Sequence, residues 1–287
     1  MGSTEKTKVL ILVKTYPLPS RAYLELVCTA GVTEAGEWIR LYPIDYRYRS
    51  ADQQFDKYQW IEVELESRGA GNDKRKESRR PVLESIRKIG EPLSTNRKWE
   101  ARRQIIDKLP HYTKNQLAAR YDEDRTSLGI VRPVKVLDLE IRPADTDWKP
   151  EWQNLFKQMT LFGEQQKPLR KIPFSFHYVF ECEDSDSPHT AMCEDWELGT
   201  LFLNESARLG SDEAAAESVR KKFLGELCRN DKDTRFFMGT YFPYNTWLVL
   251  GVFWPPKEKQ QTLFQVPRFF AAFMLMSAWV ALPVRES

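Results

Sequence analysis

The stretch from Glu181 to Glu197 carries seven acidic side chains and no lysine or arginine. Within it Cys182, His189 and Cys193 are residue types that ligate zinc, and Asp184 or Asp195 offers a fourth donor. Six residues separate the first two and three the second pair, which is not the two-residue spacing of a zinc knuckle. A zinc-pinned loop and a metal-free acidic loop both remain open, in a field that favours a cation. Asp195 and Glu197 bracket Trp196, and on an extended chain their carboxylates share a face. Such a pair can hold Mg²⁺ for phosphodiester cleavage, or divide acid and base roles if the two environments differ. With His189 they form the candidate catalytic set; the plainer reading is an acidic edge beside a buried indole.

Phosphate chemistry is suggested elsewhere. Positions 68 to 81 hold six basic and two acidic side chains, a local charge of +4. Arg75, Ser78, Arg79 and Arg80 lie there, and guanidinium forks suit phosphate because they donate two parallel hydrogen bonds. Positions 87 to 103, with Arg102 and Arg103, also net +4. On a strand, Trp38, Arg40 and Tyr42 share one face, a cation between two rings, and Lys14 and Tyr16 add a second such pair. Single-strand binders stack bases on rings of this kind and neutralise phosphate with the cations between them. The competing reading makes Trp38 and Tyr42 core, with Arg40 paired to an acid.

The elements that must carry these groups are mostly strands. Positions 8–14 read as a buried strand and 37–42 as one with a single buried face. Positions 58–66 alternate polar and apolar residues, as do 134–142 and 172–182. Helical character appears at 97–109, 113–121 and 213–229, and two further strands are expected around 236–241 and 247–254. Strand-rich halves with few helices suggest an α+β, β-rich chain of two OB-like small barrels with helical insertions. The expected divisions are 1–146, an N-terminal barrel with the basic loop; 147–264, a second β-rich domain; and 265–287, an apolar tail.

Composition narrows the function. With 287 residues, 41% of them hydrophobic, and a net charge of +2, the chain is a folded protein and no histone-like polycation. Four cysteines and a polar N-terminus predict a reducing cytoplasm. The fourteen apolar positions from Phe269 to Leu282 fall short of the roughly 18 to 20 needed to span a membrane. No membrane span is expected there; packing on the core, or docking of a protein partner, is. No Walker loop, dinucleotide fingerprint or zinc-protease motif occurs, so binding is expected in preference to catalysis.

A resemblance sharpens this. Lys14-Thr-Tyr-Pro17, Cys28-Thr-Ala-Gly31 and Gly36-Glu-Trp-Ile-Arg-Leu-Tyr-Pro43 resemble the opening of a bacterial group of dual OB-fold-type proteins associated with mobile elements and conflict, or defence, systems. Asp73-Lys-Arg-Lys-Glu-Ser78, Ser127-Leu-Gly-Ile-Val131, Asp195-Trp-Glu197 and Gly239-Thr240 match the same pattern, to about Phe264. The resemblance implies two OB-like barrels binding DNA or RNA, as single strands or as a modified or distorted duplex. A metal-dependent nuclease is the enzymatic alternative, and an assembly subunit docking through its tail is the third.

Overall fold

The computed structural model describes residues 4–20, 24–67, 73–161, 169–241 and 245–258. Met1–Pro256 forms one compact unit and Lys257–Ser287 a second, of which only Lys257 and Glu258 are described. The apolar segment from Phe269 to Leu282, and with it the expected partner surface, lies outside the described residues. No described helix is long and apolar enough to cross a membrane.

In chain order the strands begin with β1 (Glu5–Lys14), β2 (Leu18–Ser20), β3 (Leu24–Leu26), β4 (Thr29–Thr33), β5 (Trp38–Leu41), β6 (Trp60–Leu65), β7 (Ser78–Arg79) and β8 (Arg87–Ile89). After them come α1 (Asn96–Ile106), β9 (His111–Tyr112), α2 (Lys114–Asp124), β10 (Leu128–Val131), β11 (Lys135–Pro143) and α3 (Pro150–Leu161). The chain continues through β12 (Phe174–Glu181), β13 (His189–Met192), α4 (Trp196–Leu209), α5 (Asp212–Arg220), β14 (Arg235–Tyr241) and β15 (Thr246–Phe253).

The unbroken apolar run Val9 to Val13 is what a strand covered on both faces requires. Accordingly β1 lies inside a six-stranded sheet ordered β7-β5-β4-β1-β6-β8, with both its neighbours antiparallel. The alternation of β6 buries Ile61, Val63 and Leu65 and turns the residues between them outward. Gly31 allows β4 to lie against β1, since a β-carbon there would stand 2.1 Å from the Leu10 carbonyl oxygen. A bulge between Ile11 and Val13 breaks the ladder and admits the loop before β6: the Tyr58 amide donates to Ile11 O at 2.6 Å, and the Ile11 amide to Gln59 O at 3.0 Å.

The expected α+β, strand-rich class is what the chain adopts. No sheet among the described residues closes into a barrel by pairing its own edges, so the two closed OB-like barrels expected from sequence are not seen. In their place, the segment 77–82 bridges the N-terminal sheet. It accepts from the Arg40 and Tyr42 amides of the β5 side at 2.9 and 3.2 Å and from Glu66 N at 2.9 Å, and Val82 N donates to Glu64 O at 2.8 Å. The second half is divided between a four-stranded sheet, β15-β14-β10-β9, and a three-stranded sheet, β11-β12-β13. A single parallel bridge, Cys193 to Val249, links the two sheets, and no ladder between them closes a barrel among the described residues.

Residues 193–195 join the halves. Cys193 bridges Val249 in parallel, and Thr15 bridges Asp195 antiparallel. The Tyr16 amide donates to Glu194 O at 3.0 Å, and the Glu194 amide to Val249 O at 2.9 Å. Around this seam Trp38 packs edge-on to Phe237, and Trp99 against Phe253. Position 146 falls between β11 and α3.

Candidate nucleic-acid interface

The seam decides the fate of the two candidate acids. Asp195 caps α4, accepting from the Glu197 amide at 3.0 Å, so the chain turns helical at Trp196 and never presents an extended Asp-Trp-Glu face. Both carboxylates still meet, on Lys57 from the loop before β6. Its Nζ donates to Asp195 Oδ1 and Oδ2 at 3.1 and 2.9 Å, and to Glu197 Oε2 at 3.1 Å. The Lys57 and Asp195 side chains are 4% and 1% exposed, that of Glu197 58%. Burial works against the charge on Lys57, but the two carboxylates overturn it and push its pKa up. The ammonium thus occupies the place a divalent cation would take between these acids. His189 does not join them, because it begins β13, six positions earlier.

Lys14 lies beside this pair and is buried, not on a binding face. Its Nζ donates to Tyr46 Oη and Phe55 O, both at 3.0 Å, and stands 5.0 Å from the centroid of the Trp196 ring. Desolvation lowers its pKa to about 8, the charge of Asp56 partly opposing it. Arg40 is 1% exposed. It donates to Cys28 Sγ at 3.0 Å and to Ser127 O and Oγ at 3.1 and 3.3 Å. Glu77 accepts from the same serine's amide and hydroxyl. β5 is therefore covered on both faces: Ile39 and Leu41 are buried on one, and on the other Arg40 meets a second layer that includes Ser127, which no local pattern announces. Trp38 is half-buried, Tyr42 is 42% exposed, and Tyr16 donates its hydroxyl to Arg170 O at 2.6 Å.

The basic loop is knitted into acids. Arg75 pairs with Asp73 at 2.6 Å and donates to Thr240 O at 2.7 Å, and Ser78 Oγ donates to the same Asp73. Lys76 pairs with Asp124, Arg79 with Glu5 at 2.9 Å, and Arg80 with Glu66 at 3.4 Å. Arg103 is buried against Asp233 and Pro256 O. Of the residues singled out from sequence for phosphate, Lys14, Arg40, Arg75 and Arg103 are thus committed to the interior or to ion pairs. The physical reason is that a guanidinium fork satisfies buried carbonyls and carboxylates as readily as phosphate.

The other basic segment, 87–103, behaves differently. Arg87, Lys88, Arg97 and Lys98 are all exposed, and among the described residues only Arg97 has a carboxylate partner, Glu100 at 3.8 Å. Hydrogen bonds anchor the segment as a strip: Gln59 Nε2 donates to Gly90 O at 2.7 Å, Leu93 N to Tyr58 O at 2.8 Å, and Arg102 Nε to Leu93 O at 2.7 Å. At its end Arg97, Lys98 and Trp99 have φ of 49°, 57° and 69°, three consecutive left-handed residues, each costing about 1 to 2 kcal/mol without glycine. The surrounding rings hold the turn. Trp99 is buried against Tyr58, Phe253 and Trp254, and the Arg102 guanidinium lies 3.8 Å from the Tyr58 ring centroid. Half-buried Trp254, 4.8 Å from Trp99, carries Lys222 and Lys232 at 5.9 and 5.3 Å from its ring centroid. The charge of 87–103 is legible in the sequence; Trp254 and its lysines are not, because they lie far along the chain, beyond position 220.

In the acidic loop the ligand atoms of Cys182, Asp184 and His189 lie within 4.8 Å of one another, the one such group among the described residues. Cys193 stands outside it. Four positions along a strand from His189 is about 13 Å, and its thiol is buried at the seam, where burial raises its pKa. Cys28 Sγ accepts from Arg40, while His111 bonds Arg235 and His177 bonds Ser175.

A family model described as a domain of unknown function, DUF8757, matches residues 110–268, more than half of the chain, and an adjacent one of the same description, DUF8758, matches 5–108. No curated protein matches in sequence. Among solved structures, a murine DNA-binding protein bound with double-stranded DNA is similar at 8% identity, covering 90% of this chain and 99% of that chain, with a TM-score of 0.29. At such a score neither fold nor ligand carries over.

Proposed function

We propose that this chain, which belongs to the DUF8757 family, binds nucleic acid along the strip 87–103 and the neighbouring Trp254. The observation that carries the reading is the contrast between the two basic segments. The arginines of 73–80 are paired with carboxylates, whereas among the described residues Arg87, Lys88 and Lys98 are exposed and form no ion pair, Arg87 and Lys88 donating to backbone carbonyls instead. Unpaired surface cations release condensed counterions when they meet phosphate, and that release is the main source of affinity. A half-buried indole flanked by two ammonium groups offers a ring for a base and charge for its phosphate. Single strands, or a duplex distorted enough to expose a base, fit this combination better than an intact duplex. An OB-like character of the N-terminal sheet belongs to the same reading, supported by the 77–82 bridge across its edges. So does a role in bacterial defence or mobile elements, which rests on the resemblance of the opening motifs.

Replacing Arg87, Lys88, Arg97 and Lys98 together by Gln is expected to flatten the slope of log affinity against log salt by about 3 for single-stranded DNA or RNA. Fluorescence anisotropy at graded salt measures it. In the same assay Arg75→Gln with Arg79→Gln leaves the slope where it was, since those cations are already neutralised. An unchanged slope in the fourfold variant would remove the strip from the interface. Trp254→Ala is expected to weaken single-strand binding by about 1 to 3 kcal/mol, with duplex affinity less affected; equal losses for both ligands would argue against stacking.

A further inference from the structure

Cys182 follows β12 directly and His189 opens β13, so the two stand on either side of the hairpin loop that contains Asp184. Their ligand atoms converge to within 4.8 Å. The surroundings hold each donor in place. The Thr113 hydroxyl donates to Asp184 Oδ2, and Asn115 Nδ2 donates to Asp184 O at 3.2 Å. Thr113 is also the N-cap of α2, where its hydroxyl oxygen accepts from Gln116 N. The Phe180 ring lies 5.6 Å from the imidazole of His189. Cys182 is buried, and His189 Nε2 is a buried nitrogen with no hydrogen-bond partner. A buried imidazole nitrogen left without a partner is costly, and a metal ion would satisfy it.

We infer that Cys182, Asp184 and His189 bind one zinc ion, with water as the fourth ligand, and that Cys193 takes no part. A thiolate, an imidazole and a carboxylate together suit zinc; magnesium and calcium take oxygen ligands. Bond lengths of 2.0 to 2.3 Å put tetrahedral donors roughly 3.3 to 3.8 Å apart, so the group needs to close by about 1 Å. Glu183, next to Cys182, favours the cation; the nearby Lys114 opposes it. A zinc-bound cysteine is a thiolate, so binding releases the thiol proton and affinity falls as the solution is acidified. Through Asp184 and Thr113 the ion would tie the β12–β13 turn to the start of α2.

The test uses the full chain, stripped with a chelator and then titrated with zinc against a chromophoric competitor, and separately with cobalt. One equivalent of zinc should bind, and cobalt should give a thiolate charge-transfer band in the near ultraviolet with the strong visible bands of four-coordination. Cys182→Ser should abolish the charge-transfer band, Cys193→Ser should leave it, and Thr113→Ala should weaken zinc about 10- to 100-fold by freeing the carboxylate. Because Cys182 is buried, the half-exposed His189→Gln provides an independent arm: a variant with native circular dichroism should lose zinc at least tenfold. No stoichiometric zinc in the parent chain, or a band that survives Cys182→Ser and disappears in Cys193→Ser, overturns the assignment.

Discussion

Replacing Lys57 by Met is expected to lower the stability of the protein by about 3 to 5 kcal/mol, the usual consequence of leaving a buried carboxylate without its cation. Among the described residues Lys57 is the only side chain that donates to both oxygens of Asp195, and that acid is 1% exposed. The remaining contact, the helix-capping bond from the Glu197 amide, cannot neutralise a charge. Urea denaturation followed by tryptophan fluorescence measures the loss. Combining Lys57→Met with Asp195→Asn should recover a large part of it, because the amide brings no charge into the seam. A loss below about 1 kcal/mol, or no recovery in the double variant, would mean that water reaches the pair and screens it. If these acids instead served a metal centre, Lys57→Met would gain affinity for Mg²⁺ or Mn²⁺ and divalent-dependent cleavage.

The second large effect concerns pH. Lys14 has a pKa near 8 in the folded chain, against 10.5 when unfolded, because burial penalises its charge. Below pH 8 both states hold the proton and Lys14 contributes no slope. Between pH 8 and 10.5 the unfolded chain holds a proton that the folded chain has lost, so stability rises with pH. At about 1.4 kcal/mol per pH unit, the rise amounts to about 2 to 3 kcal/mol from pH 8 to 10. Other groups act in the opposite sense. Burial pushes Tyr16, Tyr46 and Tyr58 up to about 12, and Cys228 likewise. These hold protons in the folded state that the unfolded state has released, and they erode stability as pH climbs. Subtracting the profile of Lys14→Met from that of the parent cancels them and leaves the lysine. A flat difference between pH 7 and 10 would show that Lys14 keeps its charge when folded.

These two lysines also mark how far the sequence could be read. The strands of the first half follow from local pattern: the apolar run of β1 and the alternation of β6 appear as expected, because each reports one element's own surroundings. The helix α3 was not among the expected helices, since Pro150 and the aspartates before it signal a loop as much as a helix start. Arg40 was read as a surface cation because strand parity gives the face and says nothing of whether a second layer covers it. Asp195 and Glu197 stood out as a pair, but Lys57 sits in a turn without any motif, and its distance of 138 positions from Asp195 hides the pairing. The cysteine, aspartate and histidine of the acidic loop were legible because a hairpin brings together residues close in sequence. Cys193 belonged to the same pattern only until the length of β13 carried it away.

That separation of 138 positions has a temporal meaning as well. During synthesis at about 5 to 20 residues per second, Lys57 leaves the ribosome some 7 to 30 seconds before Asp195 can meet it. For that interval the end of β1 has no Thr15–Asp195 bridge, Arg40 must wait for Ser127, and Trp38 lacks the Phe237 edge it packs against. Until then one side of the first half lacks its cover and Lys57 lacks its acids, and the seam itself is complete only after Phe237 and Val249 have also emerged.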